Sequence, residues 1–222
     1  MDFNFDKNHI QDKLKDYHSK DRLTLHHKDF INAAVVFLII PYENRPYDLV
    51  LIKRTKREND KHSGEMSFLG GKFDHILDKN YLDTALRELN EELGIPYSEV
   101  QILGCIDDHL TPKGFIITPF VAYIHENQKM IKQETEVHEI VKMPVNIFAN
   151  KKNYSEKIFN IKDEFIALGR YEYLSPKNKR YVVFGATAHI IHNFMERVYK
   201  IRLMRLGVRR ATIDDLKDKI VK

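Results

Sequence analysis

Three glutamates lie close together near the middle of the chain, at Glu88, Glu91 and Glu92. Their spacing of i, i+3 and i+4 would place them on one face of a helix, about 100° of arc wide. Like charges at this spacing destabilise a helix by a few tenths of a kcal/mol per pair, so we expect a compensating cation. Mg2+ is typically held in proteins by carboxylates together with substrate phosphates. For these three residues alone, a solvated acidic helix face is the alternative.

The residues around this cluster favour a metal site. Gly70 and Gly71 lie upstream, where a backbone carbonyl can approach a metal closely because no side chain intervenes. Arg87 begins the glutamate segment and can pair with Asp78 or Glu91, and we expect its role to be structural. The pattern therefore indicates a carboxylate metal site with a glycine pair nearby.

Hydrophobic periodicity predicts the elements that position these residues. A helix is predicted over Leu82–Leu93, because its apolar residues share one stripe and Gly94 then stops it. We expect a chain break at Gly70–Gly71 and a helix from Gly185 onward. The other predicted elements are a loop or poorly regular strand at 53–67, a short helical turn at 144–149, strands at 31–40, 49–52, 100–106 and 115–124, and a hairpin at 165–174 and 180–184. This mixture of strands and helices predicts an α/β or α+β domain.

Composition limits the class of protein. The 222 residues suit one domain with appendages, and the single cysteine, Cys105, excludes an intrachain disulfide and favours a reducing compartment. Neither a secretory signal nor an apolar run of roughly 20 residues is present, so we expect a cytoplasmic protein that does not enter a membrane. The net charge of +4 suits anionic substrates. The basic C-terminal residues fit a solvated helix face better than a nucleic-acid patch, so no nucleic acid is expected.

The glutamate segment and its flanks resemble a known motif. Gly71, Asp78, Arg87–Leu89, Glu91–Glu92 and Gly94–Ile95 resemble the Nudix box, G-x5-E-x7-R-E-U-x-E-E-x-G-U with U aliphatic. Asp78 replaces a glutamate, and the segments on either side of it are each one residue longer than the pattern. The resemblance implies a Nudix α/β/α sandwich with a mixed sheet, and an enzyme that hydrolyses pyrophosphate bonds.

The resemblance also implies the domain bounds. We assign residues 26–202 to the Nudix hydrolase domain. Residues 1–25 form a predicted N-terminal helical extension, with Ile10, Leu14 and Tyr17 on one helical face. Residues 203–222 form a predicted C-terminal helical extension whose last helix Thr212 caps.

Roles follow from the resemblance position by position. Glu88 and Glu92 would be the principal ligands of Mg2+ or Mn2+, and Glu91 a further ligand or a base. Nudix enzymes often take one more catalytic glutamate from a loop beyond the box, and Glu136 and Glu139 are the candidates for it. Asp78 and Arg87 would brace the loop against the helix. Which carboxylate is the general base stays open.

Further segments resemble the coenzyme A pyrophosphatase branch of the family. They are Leu51–Thr55, Gly64–Gly71, Thr111–Phe115, Thr118–Val121, Glu136–Ile140, Met143–Val145 and Phe184–Ala188. The resemblance implies a coenzyme A substrate held by Gly70, Gly71 and the cations Arg54, Arg57 and Lys61. Leu69 stands where the branch has proline, and Asp60 stands where it has a second arginine.

Other readings stay open at this point. The first alternative is a substrate of a different nucleoside diphosphate class, such as ADP-ribose, NADH, a dinucleoside polyphosphate or capped RNA. A Nudix domain retired to ligand or RNA binding is a third reading, which the intact glutamates argue against. A homodimer also stays open.

Overall fold

The computed structural model describes residues 2–58, 62–161, 163–209 and Thr212. Three α-helices and twelve strands are found in these ranges. In chain order they are α1 (Lys7–Lys13), β1 (Ile31–Ile40), β2 (Asp48–Arg54), β3 (Met66–Ser67), β4 (Leu69–Lys72), α2 (Tyr81–Leu93), β5 (Gln101–Cys105), β6 (His109–Leu110), β7 (Phe115–Tyr123), β8 (Val137–Pro144), β9 (Tyr154–Ile161), β10 (Glu164–Leu174), β11 (Arg180–Phe184), α3 (Gly185–Tyr199) and β12 (Val208–Arg209). Short 3-10 turns occupy Tyr97–Glu99, Val145–Ala149 and Lys151–Asn153.

The larger sheet is mixed and is built around β1. Strand β7 runs parallel to β1 on one side. On the other side β1 pairs antiparallel with β4 at its start and with β2 at its end. Strands β3 and β8 flank β2, while β5 and β6 pair with β7. The sheet therefore brings the end of β2 next to the start of β8.

The two faces of β1 pack against different helices, because alternate residues of a strand point to opposite faces. Ala34, Val36, Leu38 and Ile40 belong to one buried cluster, which also holds Ala85, Leu89 and Leu93 of α2. Phe37 and Ile39 belong to the other cluster, with Ile190, Ile191, Phe194 and Val198 of α3. A sheet buried between helices on both faces confirms the predicted α/β/α sandwich.

A smaller sheet follows the larger one along the chain. The predicted hairpin is confirmed as β10 and β11, with Arg170 opposite Phe184 and Leu174 opposite Arg180. Strand β9 covers the other edge of β10, and neither β8 nor β9 was predicted. The hairpin leads directly into α3, whose predicted start at Gly185 is confirmed.

The glycine pair was expected to break the chain, and this expectation is wrong. Gly70 and Gly71 lie inside β4, opposite Val35 and Ala34 of β1. A Cβ on Gly70 would lie 2.3 Å from the carbonyl oxygen of Ala34, and the φ of Gly70 is 145°. Glycine is needed there because the two backbones approach closely in a conformation that side chains disfavour.

The N-terminal segment is more than a helix. Helix α1 ends at Lys13, before Leu14 and Tyr17, and the chain then runs along the larger sheet. The Arg22 guanidinium is buried and lies 2.5 Å from Asp108 Oδ1. Leu25 N also donates to Asp108, at 2.9 Å. These contacts fasten the segment before β1 to the residues that precede β6.

The C-terminal extension was predicted to be helical, but its described residues 203–209 contain no helix and end in a strand. Val208 and Arg209 form β12, which pairs in parallel with Phe165 and Ile166 of β10. The helix predicted beyond Thr212 lies outside the described residues. Within the ranges that the structure describes, no helix is both long and apolar enough to span a bilayer.

Candidate active site

Helix α2 carries the three glutamates. The Asn80 side chain caps its start by accepting hydrogen bonds from the amides of Leu82 and Asp83, at 2.9 and 3.1 Å. Gly94 ends it in the left-handed conformation, with a φ of 65°. Because the leucine stripe is buried against β1, the adjoining face of α2 turns Glu88 and Glu92 towards β4.

Glu92 is a buried carboxylate, only 2% exposed. Its Oε2 accepts a hydrogen bond of 3.0 Å from the amide of Gly70. Burial raises the pKa of Glu92 to about 8, and the charges of Glu88 and Glu136 add to the rise. The Gly70 amide and the charge of Arg54 act in the opposite direction. The positive charge around Glu92 is therefore too small to offset the effect of burial on the ionised carboxylate.

Glu88 packs against Gly71. A Cβ on Gly71 would lie 2.3 Å from both Cδ and Oε1 of Glu88, which is far inside van der Waals contact. Burial also raises the pKa of Glu88, against an opposing hydrogen bond and charge from Arg87, while Glu91 and Glu136 add to the rise. The missing side chain of Gly71 thus makes the space that the Glu88 carboxylate occupies.

Arg87 holds the loop between β4 and α2 against α2. Its Nε donates to Asp78 Oδ1 at 2.8 Å, and its Nη1 donates to Glu88 at 2.9 Å and to Glu91 at 3.1 Å. The Arg87 guanidinium lowers the pKa of Asp78 to about 2, with help from hydrogen bonds donated by Asp74 N and the Thr84 hydroxyl. Both pairings that the sequence suggested for Arg87 are present.

The ends of β2 and β8 bring further charges to this cluster. Arg54 is the last residue of β2, and its charge lowers the pKa of Glu92. Glu136 precedes β8, and its charge raises the pKa of both Glu88 and Glu92. Arg57 Nε donates to the Thr135 carbonyl at 3.0 Å, and the guanidinium lies 3.7 Å from Glu136. Lys61 lies outside the described residues.

Glu139 has different neighbours. Its carboxylate accepts hydrogen bonds from Lys179 Nζ at 2.5 Å and from the Tyr181 hydroxyl at 2.7 Å. Burial alone would raise the pKa of Glu139, but these hydrogen bonds outweigh it and hold the pKa below its ordinary value. Glu139 thus ties the β10–β11 hairpin to β8.

Comparison with known proteins identifies the family. The model of the NUDIX domain matches residues 31–165, which is more than half of the chain. The chain belongs to the Nudix family. Nudix hydrolases act on pyrophosphate bonds and generally require divalent metal ions.

Relatives carry the same family name. The chain is 33% identical to the uncharacterized Nudix hydrolase NudL of Pectobacterium atrosepticum, over 70% of this chain and 78% of the relative. It is 27% identical to NudL of Photorhabdus laumondii, over 75% of this chain and 84% of the relative. A solved MutT/nudix family protein from Enterococcus faecalis is 14% identical and covers 87% of this chain and 73% of its own, with a TM-score of 0.49.

The donor set fits the divalent metal of a Nudix enzyme. In the described residues, no three His, Cys, Asp or Glu side chains converge as a ready metal cage. Arg87 holds the Glu88 and Glu91 carboxylates, and Glu92 is bonded to Gly70. The raised pKa values of Glu88 and Glu92 nevertheless indicate carboxylates that a nearby cation would stabilise. Oxygen donors of this kind suit Mg2+ or Mn2+.

Two lysines near Phe115 were not predicted from the sequence. Lys72 follows the glycine pair, and its Nζ lies 5.8 Å from the ring centroid of Phe115. Lys113 lies two residues before Phe115, and its Nζ lies 2.9 Å from His62 Nε2. Isolated lysines occur throughout this chain, so the sequence carries no signal that distinguishes these two.

Proposed function

We propose that this protein is a Mg2+- or Mn2+-dependent Nudix pyrophosphohydrolase of coenzyme A or acyl-coenzyme A. Water would attack one phosphorus of the P–O–P bridge, and the bond from that phosphorus to the bridging oxygen would break. The products would be 3′,5′-ADP and 4′-phosphopantetheine, with the acyl group retained on the second product. Each product keeps one of the two bridge phosphates.

Different residues of the chain have different proposed roles in this reaction. Glu88, Glu91 and Glu92 would hold the metal, which supplies charge for the pyrophosphate oxygens and lowers the pKa of bound water. Glu136 is the proposed proton acceptor for the attacking water, since its charge acts on both Glu88 and Glu92. Arg87 and Asp78 hold the loop before α2 against that helix, which carries the three glutamates.

One observation carries the choice of coenzyme A over other Nudix substrates. The segments that resemble the coenzyme A branch lie far apart in sequence, yet the Thr187 hydroxyl donates to the Met66 carbonyl at 3.3 Å, across a separation of 121 residues. The downstream segment Phe184–Ala188 therefore contacts the upstream segment Gly64–Gly71, whose glycine pair lies against Glu88 and Glu92. A generic pyrophosphatase has no need of both segments together.

A substrate panel tests this proposal. Purified protein is incubated with Mg2+ or Mn2+ and equal amounts of coenzyme A, acetyl-coenzyme A, ADP-ribose, NADH, a dinucleoside polyphosphate and capped RNA. Products are identified by mass, and H2(18)O shows which phosphorus receives the water oxygen. We expect coenzyme A or its acetyl derivative to have the highest kcat/KM.

The controls separate the family chemistry from the substrate. Glu88→Gln should inactivate the enzyme on every compound, which links any turnover to the proposed metal site. Faster cleavage of ADP-ribose, NADH or capped RNA than of coenzyme A would overturn the substrate. Absence of turnover on all compounds with either metal would instead support a domain retired to ligand binding.

A further inference from the structure

The loop between β7 and β8 is bonded to the C-terminal end of α2. The last carbonyls of an α-helix have no donor within the helix and are satisfied by groups outside it. The Leu93 carbonyl accepts a hydrogen bond of 2.7 Å from Ile131 N, and the Glu92 carbonyl accepts one of 2.9 Å from Gln133 N. The backbone of Glu92, a proposed metal ligand, is therefore bonded directly to Gln133.

Gln133 also shapes the turn that carries Glu136. Its side-chain oxygen accepts hydrogen bonds from Thr135 N at 2.7 Å and from the Thr135 hydroxyl at 2.5 Å. The same oxygen lies 3.2 Å from Glu136 N. The Gln133 carbonyl accepts from Glu136 N at 3.0 Å and from Val137 N at 2.7 Å. One residue thus holds the two residues before β8 and the first residue of that strand.

The carbonyls of this turn are bonded to the segment that follows β2. The Glu136 carbonyl accepts from Thr55 N at 2.9 Å, and the Glu134 carbonyl accepts from the Thr55 hydroxyl, also at 2.9 Å. The turn is therefore held between the end of β2 and the end of α2. Gln133 is the residue that bonds both to α2, through its amide, and to the amides of the turn, through its side chain.

We propose that Gln133 is a positioning residue that holds Glu136 at a fixed place relative to Glu92. The inference rests on the proposed function, in which Glu136 accepts the proton of the attacking water and Glu92 holds the metal. A proton acceptor must lie within hydrogen-bond reach of the proton that it takes, and a misplacement of about 1 Å can cost on the order of a hundredfold in rate. Gln133 acts through Glu136 and takes no part in bond breaking.

Two substitutions of Gln133 test this role. Gln133→Met keeps the length of the side chain and removes the acceptor. Its kcat on coenzyme A with Mg2+ should fall roughly tenfold, with KM within about twofold, because the backbone bonds of residue 133 remain. Gln133→Asn keeps an amide that can accept from the backbone two residues further on, so its kcat should stay within about threefold of the wild type.

Two further measurements separate positioning from a general loss of structure. In the Glu136→Gln background, Gln133→Met should change kcat less than about twofold, because the carboxylate that Gln133 positions is gone. A residue needed only for stability would lower kcat equally in both backgrounds. In EDTA, hydrogen exchange at the Thr135 amide should be about fivefold faster in Gln133→Met than in the wild type, which is the effect of one ordinary hydrogen bond.

The matched control is Gln101→Met. Gln101 is an exposed glutamine at the start of β5, at the opposite end of the larger sheet from β3, and its replacement should change neither kcat nor the exchange at Thr135. A wild-type kcat in Gln133→Met, or an equal loss in both backgrounds, would overturn the positioning role alone. An unchanged kcat in Glu136→Gln would overturn the proton acceptor. A wild-type enzyme without turnover on coenzyme A would instead overturn the proposed function.

Discussion

Replacing Glu92 with glutamine should stabilise the metal-free protein and destroy its response to metal. The carboxylate is 2% exposed, and its pKa is raised to about 8 from an ordinary value of 4.5. At 1.36 kcal/mol per pH unit, this difference corresponds to about 5 kcal/mol of stability that is lost when Glu92 ionises in the folded state. Glutamine keeps the size and can still accept the hydrogen bond from Gly70, but it does not ionise.

The sign follows from proton binding. A carboxyl group with a raised pKa contributes stability that is complete below the unfolded value near 4.5 and is lost as the pH rises through about 8. The chelated wild-type protein should therefore lose stability between these values, and Glu92→Gln should lose less. At about 2–4 °C per kcal/mol, the Tm of the variant in EDTA should exceed that of the wild type by on the order of 10 °C near pH 9. Thermal unfolding measured in EDTA and in Mg2+ checks this.

The control is the same glutamate-to-glutamine substitution at an exposed position. Glu126 is exposed in the turn after β7, and Glu126→Gln should leave the Tm and its pH dependence unchanged. Mg2+ should raise the Tm of the wild type and of Glu126→Gln, but not that of Glu92→Gln. A lower Tm for Glu92→Gln in EDTA near pH 9, or a normal rise with Mg2+, would refute the reasoning about this carboxylate.

Three further substitutions test residues around the glutamate cluster. Asp78→Asn removes the carboxylate that pairs with Arg87. Because the pKa of Asp78 is lowered to about 2, the wild type should lose about 2 kcal/mol of its free energy of unfolding as the pH falls through that value. Thermal melts of the variant should lack this loss. Gly71→Ala should displace the Glu88 carboxylate and lower kcat, while circular dichroism shows an intact fold, because a flexible side chain can yield. Glu136→Gln should reduce kcat roughly a hundredfold or more in a single-turnover assay, and an unchanged kcat would exclude it as the proton acceptor.

The catalytic helix was predictable because its signals are local. The leucine stripe, the helix-ending Gly94 and the glutamate spacing all lie within one stretch of sequence, and the structure has the helix at Tyr81–Leu93, one residue earlier than predicted. The earlier start follows from Asn80, whose side chain caps the first turn. Arg87 was likewise assigned its bracing partners from spacing and charge alone.

Other features depend on residues distant in sequence. Gly70 and Gly71 read as a break, yet β1 supplies the backbone partners that make them a strand. Strand β9 has few apolar residues in alternation and is ordered by its pairing with β10. The separation of Glu136 from Glu139 could not be foreseen either, because it depends on Lys179 and Tyr181 reaching back from the hairpin. The sequence identifies the candidate residues here, but their contacts with distant parts of the chain determine the structure and role of each one.

The attachment of the N-terminal segment bears on how the chain folds during synthesis. The ring of Phe3 lies 5.0 Å from that of Tyr199, and Asp107 binds both Lys15 at 3.2 Å and Arg197 at 2.5 Å. At about 5–20 residues per second, a ribosome needs roughly 10–40 s to advance from Phe3 to the end of α3. The N-terminal residues in these contacts thus wait for the synthesis of α3 before they reach their final positions. Until then their aromatic rings stay exposed, available to chaperones and to other nascent chains.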